Sequence, residues 1–244
     1  MKNQHRYAAV FWVVVLTGML LRCTPAAGAA ATGQIVGTIK LDGPAPSRRP
    51  IDMSKDPGCA QTHSGAAAAE NVVVGPNGGL ANVVIYISQG LSGAEPASSQ
   101  PVKLEQKGCQ YIPHVVAVNP GQPMSVVNDD KTIHNVHTDP RAGGGNKGWN
   151  KSQMSGSPPI DVVWANEEVA IPVKCNIHPW MRAYIVVVKG PHSVSNESGA
   201  FRLDDVPPGN YTLTAWHETY GTLTQKVTVM PGKAANIDFT FKTK

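Results

Sequence analysis

Val169-Ala170-Ile171-Pro172-Val173-Lys174-Cys175-Asn176-Ile177-His178-Pro179-Trp180-Met181-Arg182-Ala183-Tyr184-Ile185-Val186-Val187-Val188 is the stretch on which the fold turns. Cys175, His178 and Met181 recur every third residue, a spacing that would line one face of a helix. Pro179 argues against that helix, and so do the runs rich in β-branched residues on either side, Val169–Lys174 and Ala183–Val188. Two strands joined by a tight loop remain. Such a loop gathers a thiol, an imidazole and a thioether around one point.

Strand signals continue in both directions. Gln34–Leu41, Val83–Ile87, Val115–Val118 and Met124–Val127 are rich in β-branched residues, and Ile237, Phe239 and Phe241 alternate with Asp238 and Thr240. Turn chemistry separates them at Pro76-Asn77-Gly78-Gly79, Asn119-Pro120-Gly121, Pro207-Pro208-Gly209-Asn210 and Met230-Pro231-Gly232. Many short strands with regular punctuation predict an all-β protein built of sandwiches. Ala66–Ala69 and Ser92–Gln100 are expected as surface loops, and Asp139–Pro159, with three consecutive glycines, as a long connection. The 244 residues contain 24 Gly and 20 Pro, too many interruptions for a helical bundle. Formal charge is +4, but Lys2, Arg6 and Arg22 lie in an opening stretch without acids. Beyond it, 18 basic residues face 17 acidic ones, which asks for neither a nucleic acid nor an anionic membrane as partner.

Residues 1–29 are expected to be a signal peptide. Lys2 and Arg6 precede the apolar run Ala8–Leu21, and Ala27-Gly28-Ala29 offers a cleavage site. That run is shorter than the roughly 20 residues of a membrane-spanning helix. Acylation at Cys23 would want a small residue where Arg22 stands. A periplasmic or secreted product without a membrane anchor is therefore expected. Export leaves Cys59, Cys109 and Cys175, an odd number in a compartment where disulfides persist. A Cys59–Cys109 bond is expected. Metal coordination would explain why Cys175 survives as a thiolate.

A second histidine source lies upstream in His134-Asn135-Val136-His137. Two imidazoles, one thiolate and a weak thioether form the donor type of blue-copper electron-transfer sites. Zinc suits Cys and His but not a thioether. His134 and His137 are three apart, so on an extended strand they face opposite sides and one of them is expected to bind. Here the segment 124–188 resembles the cupredoxins, and amicyanin-type proteins most of all, in its His-Asn-Val-His segment and its Cys-x-x-His-Pro-aromatic-Met loop. The resemblance implies one type-1 copper held by His134, Cys175, His178 and Met181, with His137 outside the site. It also implies that Asn135 ties the two ligand loops together. Val173 departs from the pattern, because many members carry an aromatic residue two positions before the cysteine.

The tail 191–244 resembles the transthyretin-like (carboxypeptidase regulatory-like) β-sandwich through Gly199-Ala200-Phe201 and Asp205-Val206-Pro207-Pro208-Gly209-Asn210-Tyr211. The opening Gly33-Gln34-Ile35-Val36-Gly37-Thr38-Ile39 resembles the first strand of that module. The expected organisation is a split transthyretin-like sandwich, 33–100 and 191–244, with a cupredoxin-like copper domain at 101–190 inserted in it or packed beside it.

Four protein donors leave no position for a substrate, so the expected function is electron carriage rather than catalysis. Lys174 and Asn176 flank Cys175, where the copper oxidases and nitrite reductases wire the cysteine to a second centre through a histidine. The cupredoxin resemblance implies a redox protein as donor and another as acceptor, such as a haem protein or dehydrogenase. It also implies that His178 reaches the surface as the electron port, rimmed by Ile177, Pro179 and Trp180. The alternative is a copper-holding or copper-delivery protein, or a binding module with structural copper. His63, His114, His192 and His217 are expected to be surface or hydrogen-bonded residues.

Overall fold

The computed structural model describes residues 31–93 and 98–243, so the signal peptide expected at 1–29 lies outside the described residues. The protein is all-β: the described residues form four sheets and only short helical turns. The strands that flank the Cys175 loop, Glu168–Lys174 and Arg182–Val187, pair antiparallel. They stand in a five-stranded sheet ordered Val115–Val118, Arg182–Val187, Glu168–Lys174, His134–Thr138, Asn150–Gln153. A second sheet holds Gln110–Ile112, Val102–Lys107, Pro123–Asn128 and Ile160–Val163. Leu104, Met124, Val126, Val136, Trp164, Ile171 and Ile185 fill one core between them. Along Pro123–Asn128 every second side chain is buried, as the pleat requires of a strand with one face on a core.

The two ends of the chain build the other two sheets. Gly33–Asp42 pairs antiparallel with Ala200–Val206 and parallel with Phe239–Lys242. His192–Val194, Val84–Gln89, Gly209–His217 and Gly221–Val229 form the facing sheet. The two motifs that announced this sandwich are neighbours in it. Gly37 stands opposite Phe201, and a Cβ at Gly37 would lie 1.7 Å from the Ile237 carbonyl oxygen, so no larger residue fits. Tyr211 closes the Pro207-Pro208-Gly209-Asn210 turn by donating its hydroxyl to the Pro207 carbonyl at 2.7 Å. Phe239 and Phe241 are buried and Thr240 is exposed, as the alternation predicts.

Val84 and Trp216 from the outer sandwich pack on Val115, Ala117, Val186 and Val188 of the central one. Tyr184 meets Trp216 edge-on at 5.6 Å.

Two connections differ from expectation. Asp139–Pro159 contains the strand Asn150–Gln153, which carries no hydrophobic signal because its one buried residue is Gln153. That side chain accepts from Gln106 Nε2 at 2.7 Å and donates to the Val126 and Pro158 carbonyls, so hydrogen bonds replace apolar burial. Ala66–Ala69 is not a free loop: Ile51 N–H donates to Ala67 O and Ala69 N–H to Arg49 O. These bonds close residues 49–69 into a compact loop containing the short helix Pro57–Ala60. Met53 and Cys59 of this loop are buried in the central core, and Cys59 is disulfide-bonded to Cys109. Among the described residues no helix is long and apolar enough to cross a membrane.

Candidate metal centre

The seven-residue loop Cys175–Met181 is closed at its neck. Cys175 N–H donates to Met181 O at 3.2 Å, and Met181 N–H donates to His178 O at 2.9 Å. The loop therefore doubles back, and Cys175, His178 and Met181 are all buried while Ile177 and Pro179 stay exposed. His134 opens the adjacent strand and has no exposed surface. His134, Cys175 and His178 offer ligand atoms all within 4.8 Å of one another. The two Nδ1 atoms are 3.0 Å apart, and Cys175 Sγ lies 3.8 Å from His178 Nδ1. Met181 is fully buried in the same core at the end of the loop. His137 points elsewhere and contacts Asn176 Oδ1 through Nδ1 at 3.2 Å. Asn135 links the two segments: its Oδ1 accepts from Asn176 N–H at 2.7 Å, and its backbone N–H donates to Cys175 Sγ at 3.5 Å. Val173, where an aromatic residue is common in the resembled family, is buried in the central core.

Burial pushes the Cys175 thiol up. Hydrogen bonds with His134 and from the backbones of Asn135, His178 and Ile177 outweigh it and bring the thiol down to about 6. Cys175 is the one free cysteine among the described residues, and it is poised as a thiolate.

Behind each histidine stands a carboxylate that sequence reasoning missed. Asp130 Oδ2 lies 2.8 Å from His134 Nε2, and Asp56 Oδ2 lies 2.9 Å from His178 Nε2. Burial pushes Asp130 up, but the hydrogen bond with His134 and the amides of Cys109 and Gly108 hold it below the usual carboxylate range. The hydrogen bond from His178 is the main reason that Asp56 is lowered. Burial pushes His134 down, while Asp130 and Cys175 raise it above the ordinary histidine value. Asp130 stands four residues before His134, which is the only sequence signal either carboxylate leaves. Asp56 reaches the site through a cysteine bonded 50 residues away.

The surface port expected at His178 is not there. His178 is only 2% exposed, because the loop 49–69 covers it: Asp56 caps Nε2, and Cys59 Sγ lies 3.7 Å away. Trp180 does not form an open rim either. Its ring lies 5.1 Å from the His178 ring and its Nε1–H donates to the Cys109 carbonyl at 3.0 Å. Trp180 and Met181 instead line a cavity of about 550 Å³ with Glu70, His114, Tyr184 and Glu218. His114 is hydrogen-bonded to Glu218 and to the Arg182 carbonyl, so it joins the two sandwiches.

Comparison with known proteins adds to this picture. Residues 179–242 match the model of the carboxypeptidase regulatory-like domain, a match that begins inside the loop and runs through the outer strands. No curated protein matches the chain. Solved structures similar to it include a purple cupredoxin from Nitrosopumilus maritimus, at 20% identity and TM-score 0.30, covering 36% of this chain and 99% of that one. A Cu(I) form of an amicyanin mutant shows 19% identity and TM-score 0.32, covering 43% of this chain and 98% of that one. A copper-containing nitrite reductase from Thermus scotoductus shows 19% identity and TM-score 0.33, covering 43% of this chain. The chain spans 25% of that reductase.

Proposed function

We propose that this is an exported type-1 copper protein that carries single electrons between redox partners and is not itself an enzyme. One copper per chain would be held by His134, Cys175, His178 and Met181. The supporting observation is the inward convergence of two Nδ1 atoms and a thiolate. Both Nε2 atoms face carboxylates, so each ring in its neutral form donates outward and turns Nδ1 inward, the two Nδ1 atoms lying 3.0 Å apart. Two Nδ1 atoms and a thiolate at that separation need a proton or a metal ion among them, and a soft metal ion satisfies all three at once. A soft thiolate with a buried thioether nearby favours copper over zinc.

Copper, when bound, would supply a one-electron couple. The chain's own residues hold the donors in one buried geometry and exclude water. With four protein donors no position stays open for a substrate, which separates a carrier from a metal catalyst. Electrons would pass to and from a haem protein or a dehydrogenase. With His178 covered, the encounter would use the exposed tip of the ligand loop, Ile177 and Pro179. Contacts of that size are weak, which lets partners part quickly. Periplasmic or secreted location is supported by the Cys59–Cys109 disulfide. We assign 101–190 as the copper-holding unit, lying in sequence between the transthyretin-like pieces 33–100 and 191–244.

Visible and paramagnetic-resonance spectra of the copper-loaded protein test this reading. One copper per chain with an intense thiolate-to-copper band, bleached and restored by a haem protein, is the expected result. Several coppers per chain, or copper lost within minutes to a chelator, would point instead to holding or delivery.

A further inference from the structure

The two carboxylates do the same thing from opposite sides of the site. Asp56 Oδ1 accepts the backbone N–H of Cys59 at 3.1 Å while its Oδ2 faces His178 Nε2 at 2.9 Å. Asp130 Oδ2 accepts the backbone N–H of Cys109 at 2.8 Å and also faces His134 Nε2 at 2.8 Å. Gly108 N–H completes the second anchor, donating to Asp130 Oδ1 at 2.7 Å. Each aspartate thus bridges one half-cystine to one histidine, and the disulfide joins the two half-cystines. The chain runs disulfide, amide, carboxylate, imidazole on each side, and both arms end at the same centre.

We infer that Asp56 and Asp130 are positioning residues that fix both histidines from outside with the proton on Nε2, so that Nδ1 is presented inward before any metal arrives. This rests on the copper reading for its purpose, but its geometry belongs to the protein alone. A histidine bound through one nitrogen needs that nitrogen bare, and the hydrogen bond made by the other nitrogen decides which is bare. A neutral imidazole free to choose would place the proton on Nδ1 part of the time and would lose affinity in proportion. The cover over His178 has the same origin: the loop that hides the ring is the loop that brings its carboxylate.

Asp56→Asn isolates the effect. Asparagine caps a helix as well as aspartate does, so the Cys59 N–H still finds an oxygen. That bond fixes the oxygen at the Oδ1 place and puts the amide nitrogen against His178 Nε2. Donor then faces donor, and the ring must move its proton to Nδ1. Long-range 15N–1H correlation spectra of the metal-free chain, at a pH where both rings are neutral, should show Nε2–H forms at His134 and His178. In Asp56→Asn only His178 should invert, with the melting temperature nearly unchanged. Copper(I) affinity, measured against a chromophoric chelator, should fall by roughly 10–100-fold.

Asp130→Asn should invert His134 instead. It also disturbs two amides, so a failure of that variant to fold leaves Asp56→Asn to carry the test. Unchanged tautomers, or inversion with unchanged affinity, would overturn the inference. If the tautomers invert as expected but the wild-type chain binds no copper, the positioning stands and the copper reading falls.

Discussion

Three of the four buried histidines among the described residues set the two halves of the molecule apart. In the central sandwich, His134 and His178 have both ring nitrogens placed, one against a carboxylate and one against the shared centre. In the outer sandwich, His217 is just as deeply buried, and its Nδ1 accepts from the amides of Thr219 and Tyr220. Its Nε2, among the described residues, has no hydrogen-bond partner. Tyr220 stacks on that ring at 5.0 Å, and Phe241 lies 6.2 Å away. The two central histidines therefore have every ring nitrogen engaged, while His217 leaves one nitrogen inside an apolar frame. Burial alone does not make a residue functional; convergence of partners does.

The largest effect expected is at Cys175. Cys175→Ser should abolish the intense visible band of the copper-loaded protein outright, because serine offers no thiolate to transfer charge. The outer sandwich should keep its hydrogen-exchange protection along Gly209–His217. An intact band would remove Cys175 from the ligand set and erase the contrast between the halves.

Next in size is the strut. Replacing Cys59 and Cys109 together by alanine should cost about 2–5 kcal/mol, the usual value of a native disulfide. Protection should be lost over 49–69 and around His134, and hardly at all in Gly221–Val229. Uniform loss across both sandwiches would mean that the disulfide braces the whole chain rather than the centre.

These two experiments separate what was legible in the sequence from what was not. The Cys175–Met181 loop was legible because three donors sit within seven residues between two strand signals. The choice of His134 over His137 follows from the period-two alternation of a strand and the resemblance together. Gly37 and Phe201 were legible as a motif, and the structure sets them side by side. The carboxylates were not legible. Asp56 comes to His178 by a disulfide and a helix cap, and neither leaves a periodic trace. The same absence explains the mistaken surface port: the cover is built by residues 49–69, a stretch without strand periodicity that is held by hydrogen bonds and one covalent link. Asn150–Gln153 was missed because a strand buried through a glutamine looks like a loop.

His217 gives the outer half its own signature with acid. Burial, helped by the nearby charge of His114, lowers its pKa from 6.5 to about 4. The unfolded chain takes up a proton between those values and the folded one does not, so stability falls as pH drops from about 6.5 to 4. A shift of that size is worth about 3 kcal/mol. Chemical denaturation across this range should show the slope. His217→Asn, which keeps an acceptor for the two amides but cannot be protonated, should flatten it. A slope that survives the substitution would place the acid sensitivity elsewhere.

The smallest effect concerns the seam. His114 comes from the central half and Glu218 from the outer, and the two are hydrogen-bonded beside the cavity. Burial pushes His114 down, but Glu218, Glu70 and the Arg182 carbonyl raise it above the ordinary value. The sign is opposite to that of His217. A raised histidine contributes fully below about pH 6.5 and loses that contribution as pH climbs through its folded value. Glu218→Gln keeps a hydrogen-bonding group and removes the charge, so it should cost about 1.5–3 kcal/mol at pH 6, in the range of hydrogen bonds to charged groups. The cost should shrink toward alkaline pH as the imidazole loses its proton in the wild type as well. Comparing stability of the two proteins at pH 6 and pH 9 measures the difference directly. A cost that does not change between pH 6 and pH 9 would mean that His114 is neutral across the range and that its charge contributes nothing at the seam.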